Sequence, residues 1–289
     1  MKTIDILTIG NVTEDVNKIN KKVYRSIGGT SFYAYKVAKK LGYDLRIITE
    51  VSDSLDFSKK IDPKNVISQK TKLHTIFENT YKNGERNQKV LNPSGKIILK
   101  NLSQKLKKIN PKIVFYCPIF DELDSGLFNI FNRSIKICNL QGFMRKKSNQ
   151  SIISKNQLPN IKFEIFDAVI LSDEDTNFKN AIKISEHSKI VCFTMGKKGV
   201  KIITNNEVKL FETIDVIDVD ETGAGDVWST SFIIFHYLMK KDLNESAVLS
   251  NISASLSVTG LSDKKIPEYN EILKYYNAKK NKTWSITFK

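Results

Sequence analysis

The residues with the clearest chemical potential form one short segment, Asp220-Glu221-Thr222-Gly223-Ala224-Gly225-Asp226. It runs directly into the apolar stretch from Val227 to Met239, which is long enough for a buried helix. Glycines on either side of an alanine allow a tight turn that leaves backbone N–H groups accessible. At a helix N-terminus these N–H groups and the positive end of the helix dipole attract anions. The segment therefore predicts an anion-binding turn at the start of a helix.

Asp226 stands beside this predicted anion site, where a further negative charge is electrostatically unfavourable. Transfer of a phosphoryl group gives the carboxylate a reason to be there. The amides of Gly223, Ala224 and Gly225 would stabilise charge on the transferred group, and Asp226 would orient an attacking hydroxyl and accept its proton. The alternative interpretation is structural, with Asp226 as a helix cap and the glycines as a plain turn.

The elements that must position these residues predict an α/β fold. A first strand at Ile4 to Ile9 is followed by a helix from Thr30 to Leu41 and a second strand at Leu45 to Thr49. Strand, helix and strand in this order indicate a parallel unit. Continuous apolar runs then predict strands that are covered on both faces, a hairpin and two closing helices. The strands are expected at 113–117, 135–140, 168–171 and 190–194, the hairpin at 200–211, and the helices at 247–259 and 269–276.

One part of the chain departs from this alternation of strands and helices. Around Asn83-Gly84, a strong hairpin signal, two segments have the character of antiparallel strands. Residues 72–98 and residues 11–28 together predict a small antiparallel β lid. We expect a single domain over residues 1–289: a three-layer α/β/α sandwich with a mostly parallel central sheet, covered at one end by this lid.

Composition narrows the class of protein. The 289 residues contain no apolar run near the roughly 18 residues of a membrane span, and the N-terminus has no signal-peptide pattern. Cys117, Cys138 and Cys192 lie in apolar, strand-like runs, which favours reduced core residues in a cytoplasmic protein. The formal net charge is +15, but no nucleic-acid-binding motif accompanies it. We therefore expect a lysine-rich solvated surface, and neither nucleic acid nor a membrane as partner.

Several nucleotide-binding classes are excluded by their missing motifs. The sequence contains no Gly-x-x-x-x-Gly-Lys-Ser/Thr loop. No Gly-x-Gly-x-x-Gly follows the first strand, which argues against a dinucleotide-binding site. The motif set of protein kinases is absent as well.

The segment around Asp226 resembles the C-terminal signature of the ribokinase-like (PfkB) family of carbohydrate and nucleoside kinases. Further segments resemble the family in the same order along the chain: Gly10-Asn11, Asp15 and Gly28-Gly29 its substrate motif, 194–200 its nucleotide segment, and 251–259 the helix beside its adenine pocket. Residues 77–88 and 140–145 resemble the archaeal inositol-kinase-like and cytidine-kinase-like members.

This resemblance implies a ribokinase-like fold and a Mg²⁺-dependent kinase that moves the γ-phosphate of ATP to a hydroxyl of a small polyhydroxy compound. The acceptor would be a sugar, an inositol-type polyol or a nucleoside. Asp226 would be the catalytic base, and the amides of Gly223, Ala224 and Gly225 an anion hole. The expected substrate contacts are Asp15, Gly28, Gly29, Thr30, Arg86 and Arg145; Thr30 is equally well interpreted as a helix N-cap. The expected contacts to the nucleotide are Thr194, Gly196, Gly199, Thr222, Asn251 and Ser255.

The segment Ser172-Asp173-Glu174-Asp175 departs from the family pattern Asn-x-x-Glu, which is involved in magnesium and phosphate binding. Asp175 replaces the Glu, unless Glu174 takes its place with a shift of one residue. Since Mg²⁺ needs only one or two carboxylates, Asp175 and Glu174 are the expected metal contacts.

Two other classes of protein stay open. The altered segment suggests a catalytically impaired nucleotide- or ligand-binding regulator with the same fold, and the net charge suggests a basic nucleic-acid-binding protein. An exposed edge of the lid could pair with a second copy, so a homodimer through the lid is one further expectation.

Overall fold

Two β-sheets organise the computed structural model, which describes residues 2–19, 22–82, 85–93, 95–148, 151–154, 157–204, 207–278 and 285–288. The strands of these residues, in chain order, are β1 (Lys2–Ile9), β2 (Thr13–Ile19), β3 (Lys22–Gly28), β4 (Leu45–Val51), β5 (Val66–Lys70), β6 (Ile76–Lys82), β7 (Glu85–Asn92), β8 (Ile109–Tyr116), β9 (Ile135–Asn139), β10 (Arg145–Ser148), β11 (Ser151–Ser154), β12 (Ala168–Ser172), β13 (Val191–Thr194), β14 (Val200–Thr204), β15 (Glu207–Phe211) and β16 (Ser285–Phe288).

The larger sheet has ten strands in the order β16-β15-β14-β13-β12-β9-β8-β1-β4-β5. The pairs from β13 through β5 are all parallel. The three remaining strands, β14, β15 and β16, are antiparallel to their neighbours. This confirms the predicted mostly parallel central sheet.

Helices cover both faces of this sheet. They are α1 (Thr30–Lys40), α2 (Leu99–Leu106), α3 (Gln141–Met144), α4 (Phe178–Ser185), α5 (Ala224–Phe232), α6 (Leu243–Ser257) and α7 (Tyr269–Ala278), with 3₁₀ turns at Pro63–Asn65, Ser125–Asn129, Phe163–Ile165, Gly196–Lys198 and Ser262–Lys264. Successive strand residues point to opposite faces, so Phe115 packs in one core with α1, α5, α6 and α7, whereas Val114 packs in the other with α2 and α4. The result is the predicted three-layer α/β/α sandwich.

The smaller sheet contains the segments predicted to form the lid. Its six strands run in the order β10-β11-β7-β6-β2-β3, and all pairs except the parallel β2–β6 pair are antiparallel. The lid is larger than the sequence indicated, because β10 and β11 lie outside residues 11–28 and 72–98. Each of these strands has only four residues and neither alternates between apolar and polar residues, which is why they gave no strand prediction.

The apolar run that follows Asp226 forms two kinds of helix. Residues Ala224–Phe232 are α-helical, and Ile233–Leu238 continue as a π-helix. The long buried helix expected from the apolar residues is therefore present with a wider final turn. Among the described residues, no helix combines the length and apolar character needed to cross a lipid bilayer.

Candidate active site

A cavity of about 350 Å³ lies at the carboxyl ends of the parallel strands. Asn139, Ser172 and Thr194, the last residues of β9, β12 and β13, line its floor. The lid contributes Asp15 and Gln88 to the lining, and the first turn of α5 lines the cavity between the lid and α6. Ligands of open α/β sheets bind at this edge, and we call the lid side the acceptor end and the side towards α6 the donor end.

The first turn of α5 has the geometry predicted for an anion site. Gly223 is the N-cap with φ of 82°, and Asp226 is the third helical residue. A Cβ at Gly223 would lie 2.4 Å from the Tyr33 ring, so only glycine fits here. A Cβ at Gly225 would meet no atom within 4 Å, because Gly225 borders the open cavity. Gly223, Ala224 and Gly225 all line the cavity, and the Ala224 N–H also donates a hydrogen bond of 3.2 Å to the Glu221 carbonyl.

Thr30 makes a direct contact with Asp226. Its Oγ1 donates a hydrogen bond of 2.7 Å to Asp226 Oδ1. The N-cap of α1 is Gly29, with φ of 89°, and Thr30 is the first helical residue. Thr30 is therefore not the helix N-cap, and its hydroxyl holds the Asp226 carboxylate at the centre of the cavity.

Asp15 marks the acceptor end of the cavity. It is 7% exposed, and one of its oxygens accepts a hydrogen bond of 3.0 Å from Thr13 Oγ1. A Cβ at Gly28 would lie 2.3 Å from Asp15 Oδ2, and one at Gly29 would lie 2.5 Å from the carbonyl oxygen of Asn11. Gly29 lines the cavity, whereas Gly28 makes room for the Asp15 side chain.

A buried carboxylate that the sequence did not point to supports the acceptor end. Glu122 accepts hydrogen bonds from the backbone N–H groups of Asn11 at 2.9 Å, Ile119 at 3.0 Å and Phe120 at 2.8 Å. Burial raises the pKa of Glu122 although these hydrogen bonds act to lower it. Glu122 thereby fixes the loops that follow β1 and β8. A single glutamate in a loop carries no sequence motif, so no signal was available to find it.

The structure describes the side chain of only one of the two arginines that were predicted as substrate contacts. Arg145 lines the cavity, donates a hydrogen bond of 3.2 Å to the Ile119 carbonyl, and lies 5.6 Å from the centroid of the Phe77 ring. The side chain of Arg86 lies outside the described part of the structure. Of these two arginines, Arg145 is therefore the one whose side chain the structure describes, and it lies between the acceptor end and Asp175.

At the donor end, the backbone turns around Gly199 and Thr222 border the cavity. Gly199 has φ of 90°, and a Cβ there would lie 2.0 Å from the Phe211 carbonyl oxygen, so its backbone needs glycine. Thr194, Gly196 and Gly199 line the cavity, as does Thr222, whose N–H donates to Asp220 Oδ1 at 2.9 Å. All four residues had been predicted as nucleotide contacts.

Asn251 and Ser255 on α6 also line the donor end, but they differ in their bonding. Asn251 Nδ2 donates to the carbonyls of Phe211 at 2.8 Å and Glu212 at 2.9 Å, and Asn251 Oδ1 accepts from the Trp228 indole at 2.7 Å. The Asn251 amide is thus engaged within the protein and ties α6 to α5 and β15. Within the described ranges, Ser255 has no protein hydrogen bond for its hydroxyl, which faces the cavity.

The carboxylates near Ser172 line the same end. Asp175 is 6% exposed, and its Oδ2 accepts bonds from Ser172 N at 2.9 Å and Ser172 Oγ at 2.8 Å. Burial raises the pKa of Asp175 against the opposing effects of Arg145 and Ser172. Glu174 is exposed beside it. The described ranges contain no cluster of three or more His, Cys, Asp or Glu side chains that could hold a metal ion.

Comparison with known proteins agrees with this fold. Residues 160–267 match the model of the pfkB family carbohydrate kinases. The chain is 30% identical over 93 residues to the Pyrococcus horikoshii protein named "Putative sugar kinase PH1459", an alignment that spans 32% of this chain and 30% of that protein. The chain thus matches less than a third of its curated relative's length.

Solved structures extend the likeness over nearly the whole chain. A pyrophosphate-dependent kinase in the ribokinase family, complexed with a pyrophosphate analog and myo-inositol, superposes with a TM-score of 0.75 at 19% identity over 93% of this chain and 99% of the other. Ribokinase from Thermotoga maritima gives 0.74 at 19% identity over 95% and 99%. The predicted resemblance to the ribokinase-like (PfkB) family is confirmed. The chain has the ribokinase fold, and its residues 160–267 are similar to the pfkB family carbohydrate kinases.

Proposed function

We propose that this protein is a carbohydrate or polyol kinase that transfers the γ-phosphate of ATP to a hydroxyl of a small polyhydroxy acceptor. The observation that carries the proposal is the position of Asp226. Its carboxylate is held by Thr30 at the middle of the cavity, in the first turn of α5, with Asp15 at one end and the α6 side chains at the other. The carboxylate can thereby meet an acceptor hydroxyl and the terminal phosphate of a donor together.

In the proposed reaction the acceptor hydroxyl oxygen attacks the γ-phosphorus. A new O–P bond forms, the bond between the γ-phosphorus and the β,γ-bridging oxygen breaks, and ADP leaves with that oxygen. Asp226 orients the hydroxyl and takes its proton, while the amides of the Gly223–Gly225 turn stabilise charge on the transferred group. In a loose transition state the proton leaves late, so orientation by Asp226 is its main contribution.

A nucleotide is the donor that suits the donor end best. Ile214, Val216, Ala254 and Val258 line it with apolar surface, which matches the flat apolar faces of a base. Pyrophosphate has no such part to bury there. Because the ribokinase fold also occurs in a pyrophosphate-dependent kinase, pyrophosphate is the alternative donor to be tested.

Mg²⁺ fits the carboxylates at the donor end. Oxygen ligands suit this ion, which usually keeps several waters and takes one or two carboxylates together with phosphate oxygens. Glu174 and Asp175 both line this end of the cavity, and Glu174 is exposed whereas Asp175 is buried, so we assign Glu174 as the contact, directly or through water. When bound, Mg²⁺ would neutralise charge on the donor phosphates.

The direct test is a phosphorylation screen of purified protein. ATP or pyrophosphate is supplied with Mg²⁺, and acceptors from the inositols, pentoses, hexoses and nucleosides are compared by release of ADP or orthophosphate. Asp226→Asn should keep the fold and lose phosphoryl transfer by at least about a thousand-fold. Asp56→Asn changes an exposed carboxylate outside the cavity in the same way and should leave the rate unchanged.

Three outcomes would contradict the proposal. Near-normal turnover by Asp226→Asn would remove the assigned base. Binding of ATP without turnover of any acceptor would favour a regulator of the same fold. Salt-sensitive binding to DNA or RNA without kinase activity would favour a nucleic-acid-binding protein.

A homodimer through the lid also belongs to the proposal, and sedimentation at several protein concentrations would test it.

A further inference from the structure

Three side-chain amides form a hydrogen-bonded row across the lid. Gln88 Nε2 on β7 donates to Asn79 Oδ1 on β6 at 2.9 Å, and Asn79 Nδ2 donates to Asn17 Oδ1 on β2 at 2.9 Å. The register places Asn17 opposite Asn79 and Asn79 opposite Gln88. Asp15, two residues before Asn17, points to the same face because side chains alternate along a strand. The three amides therefore lie on the same face of the lid as Asp15, which marks the acceptor end of the cavity.

The row fixes how Gln88 presents its amide to the cavity. Asn79 is fully buried, and its oxygen receives the hydrogen that Gln88 Nε2 provides. Because an amide has its donor and acceptor on opposite branches, Gln88 Oε1 must turn away from Asn79. Gln88 lines the cavity, and Oε1 accepts no hydrogen bond from any residue that the structure describes.

We propose that Gln88 Oε1 determines specificity by accepting a hydrogen bond from a substrate hydroxyl remote from the one that is phosphorylated. Asn79 is the residue that positions Gln88. This inference rests on the proposed kinase function and names the acceptor class within it. Gln88 is two strands and two residues away from Asp15, which separates their Cα atoms by about 12 Å. A ring that carries hydroxyls on opposite sides can contact both side chains, whereas a three-carbon acceptor such as glycerol is too short.

The surroundings of Phe77 favour a cyclic polyol over a nucleoside. Phe77 lies on the same lid face and is the aromatic ring nearest to Asp15 in the strand register. Phe77 is only 4% exposed, and the guanidinium of Arg145 lies 5.6 Å from its centroid, so little of the ring is available to stack on a base. Gln88 and Asp15 contribute an amide oxygen and a carboxylate to this end of the cavity, and both groups accept hydrogen bonds from hydroxyls.

The test compares acceptors that differ by one hydroxyl. The wild-type protein is assayed with myo-inositol, glucose and the monodeoxy analogues of each, together with ribose and cytidine. We expect a ring polyol to be preferred, and one analogue that lacks a remote hydroxyl to have kcat/KM reduced about ten-fold. Gln88→Leu should lower kcat/KM for the complete acceptor to the value of that analogue and leave the analogue unaffected.

Two more variants separate recognition from folding. Gln88→Asn keeps the amide but withdraws it by one methylene, so it should weaken the same discrimination even if Gln88→Leu folds poorly. Asn79→Ala releases Gln88 and should raise KM for the complete acceptor more than it changes kcat. The matched control is Asn87→Leu, the exposed neighbouring amide on the opposite face of β7, which should leave the ratio of acceptors unchanged.

The outcomes distinguish the two proposals. A wild-type protein that phosphorylates no acceptor overturns the proposed function together with this inference. A wild-type protein that prefers cytidine, or Gln88 variants that keep the wild-type ratio between complete and deoxy acceptor, overturns the role of Gln88 and leaves the kinase function standing.

Discussion

Thr30 Oγ1 lies 2.7 Å from Asp226 Oδ1, although 196 residues separate the two along the chain. Thr30 opens α1 beside the acceptor end, and Asp226 belongs to the first turn of α5. The hydrogen bond therefore couples the position of the N-terminus of α1 to the position of the proposed base. A hydroxyl is suited to this task because it can donate to a carboxylate without introducing a second charge.

Thr30→Val should test that coupling, because valine keeps the shape and removes the donor. Hydrogen bonds to charged groups contribute about 1.5–3 kcal/mol, so we expect kcat to fall between about ten-fold and a hundred-fold with little change in KM. Thr30→Ser retains the hydroxyl and should stay within about three-fold of the wild type. Equal activity of the valine and serine variants would contradict the assigned contact.

The two glycines of the anion turn should respond differently to alanine. Gly223→Ala meets the Tyr33 ring at 2.4 Å and has a positive φ, so we expect loss of stability of more than about 2 kcal/mol. Gly225→Ala meets nothing within 4 Å and should keep or slightly raise the melting temperature. Its methyl group would occupy space for the donor phosphate, so kcat/KM should fall strongly. A fully active Gly225→Ala protein would remove the proposed anion hole.

Variants of Asn251 and Ser255 should distinguish a structural role from a contact with the phosphoryl donor. Asn251→Asp turns an oxygen towards the carbonyls of Phe211 and Glu212, so we expect it to destabilise the fold by about 3 kcal/mol or more. Ser255→Ala should leave the melting temperature unchanged and raise KM for ATP. Thermal unfolding and donor titrations measure the two effects, and the reverse pattern would show that their roles are exchanged.

Glu14 predicts an acid-dependent component of stability at the base of the lid. Its carboxylate accepts bonds from Arg25 at 2.5 Å and from His74 at 3.1 Å. Burial acts to raise the pKa of Glu14, but the bonds from Arg25 and His74 outweigh burial and hold that pKa below its ordinary value of 4.5. The unfolded chain therefore takes up the proton first.

This stabilisation is fully present above about pH 4.5 and is lost as the pH falls through the folded-state pKa. Glu14→Gln should lower the melting temperature at neutral pH and make it less sensitive to acid between about pH 5 and pH 3. Glu164→Gln, at a more exposed carboxylate that also pairs with a histidine, is the matched control. An unchanged acid profile in Glu14→Gln would contradict the assignment.

The sequence was most informative where backbone conformation restricts residue type. The turn at Gly223, the approach of Gly29 to Asn11 and the approach of Gly199 to Phe211 each need glycine, so these positions could be recognised from the chain alone. The inner strands of the central sheet were equally clear because both of their faces are buried, whereas β5 and β16, at its two edges, were not predicted. The grouping of the expected donor residues around one cavity follows from these elements.

Contacts between side chains distant in sequence were not predictable in the same way. Glu122 acts through partners that the fold alone brings close, and a single glutamate is not distinctive at its position. Gln88 lies in the segment 77–88 that resembles the archaeal members, but the sequence did not show that Asn79 holds its amide. Asn251 was correctly placed beside the donor end, but its three hydrogen bonds to protein atoms are visible only in the structure. The strands β10 and β11 have four residues each, so their membership of the lid depends on the pairing of β10 with β11 and of β11 with β7.

The long sequence separation between Thr30 and Asp226 has a consequence for synthesis of the protein on the ribosome. Asp15 and α1 emerge early, but the cavity is complete only when the chain has been made to about residue 258, because residues of α6 also line it. A nascent chain therefore exposes an unfinished cleft for most of its translation. Chaperone contact during that interval, and sensitivity to truncation near the C-terminus, follow from the order in which the chain is made.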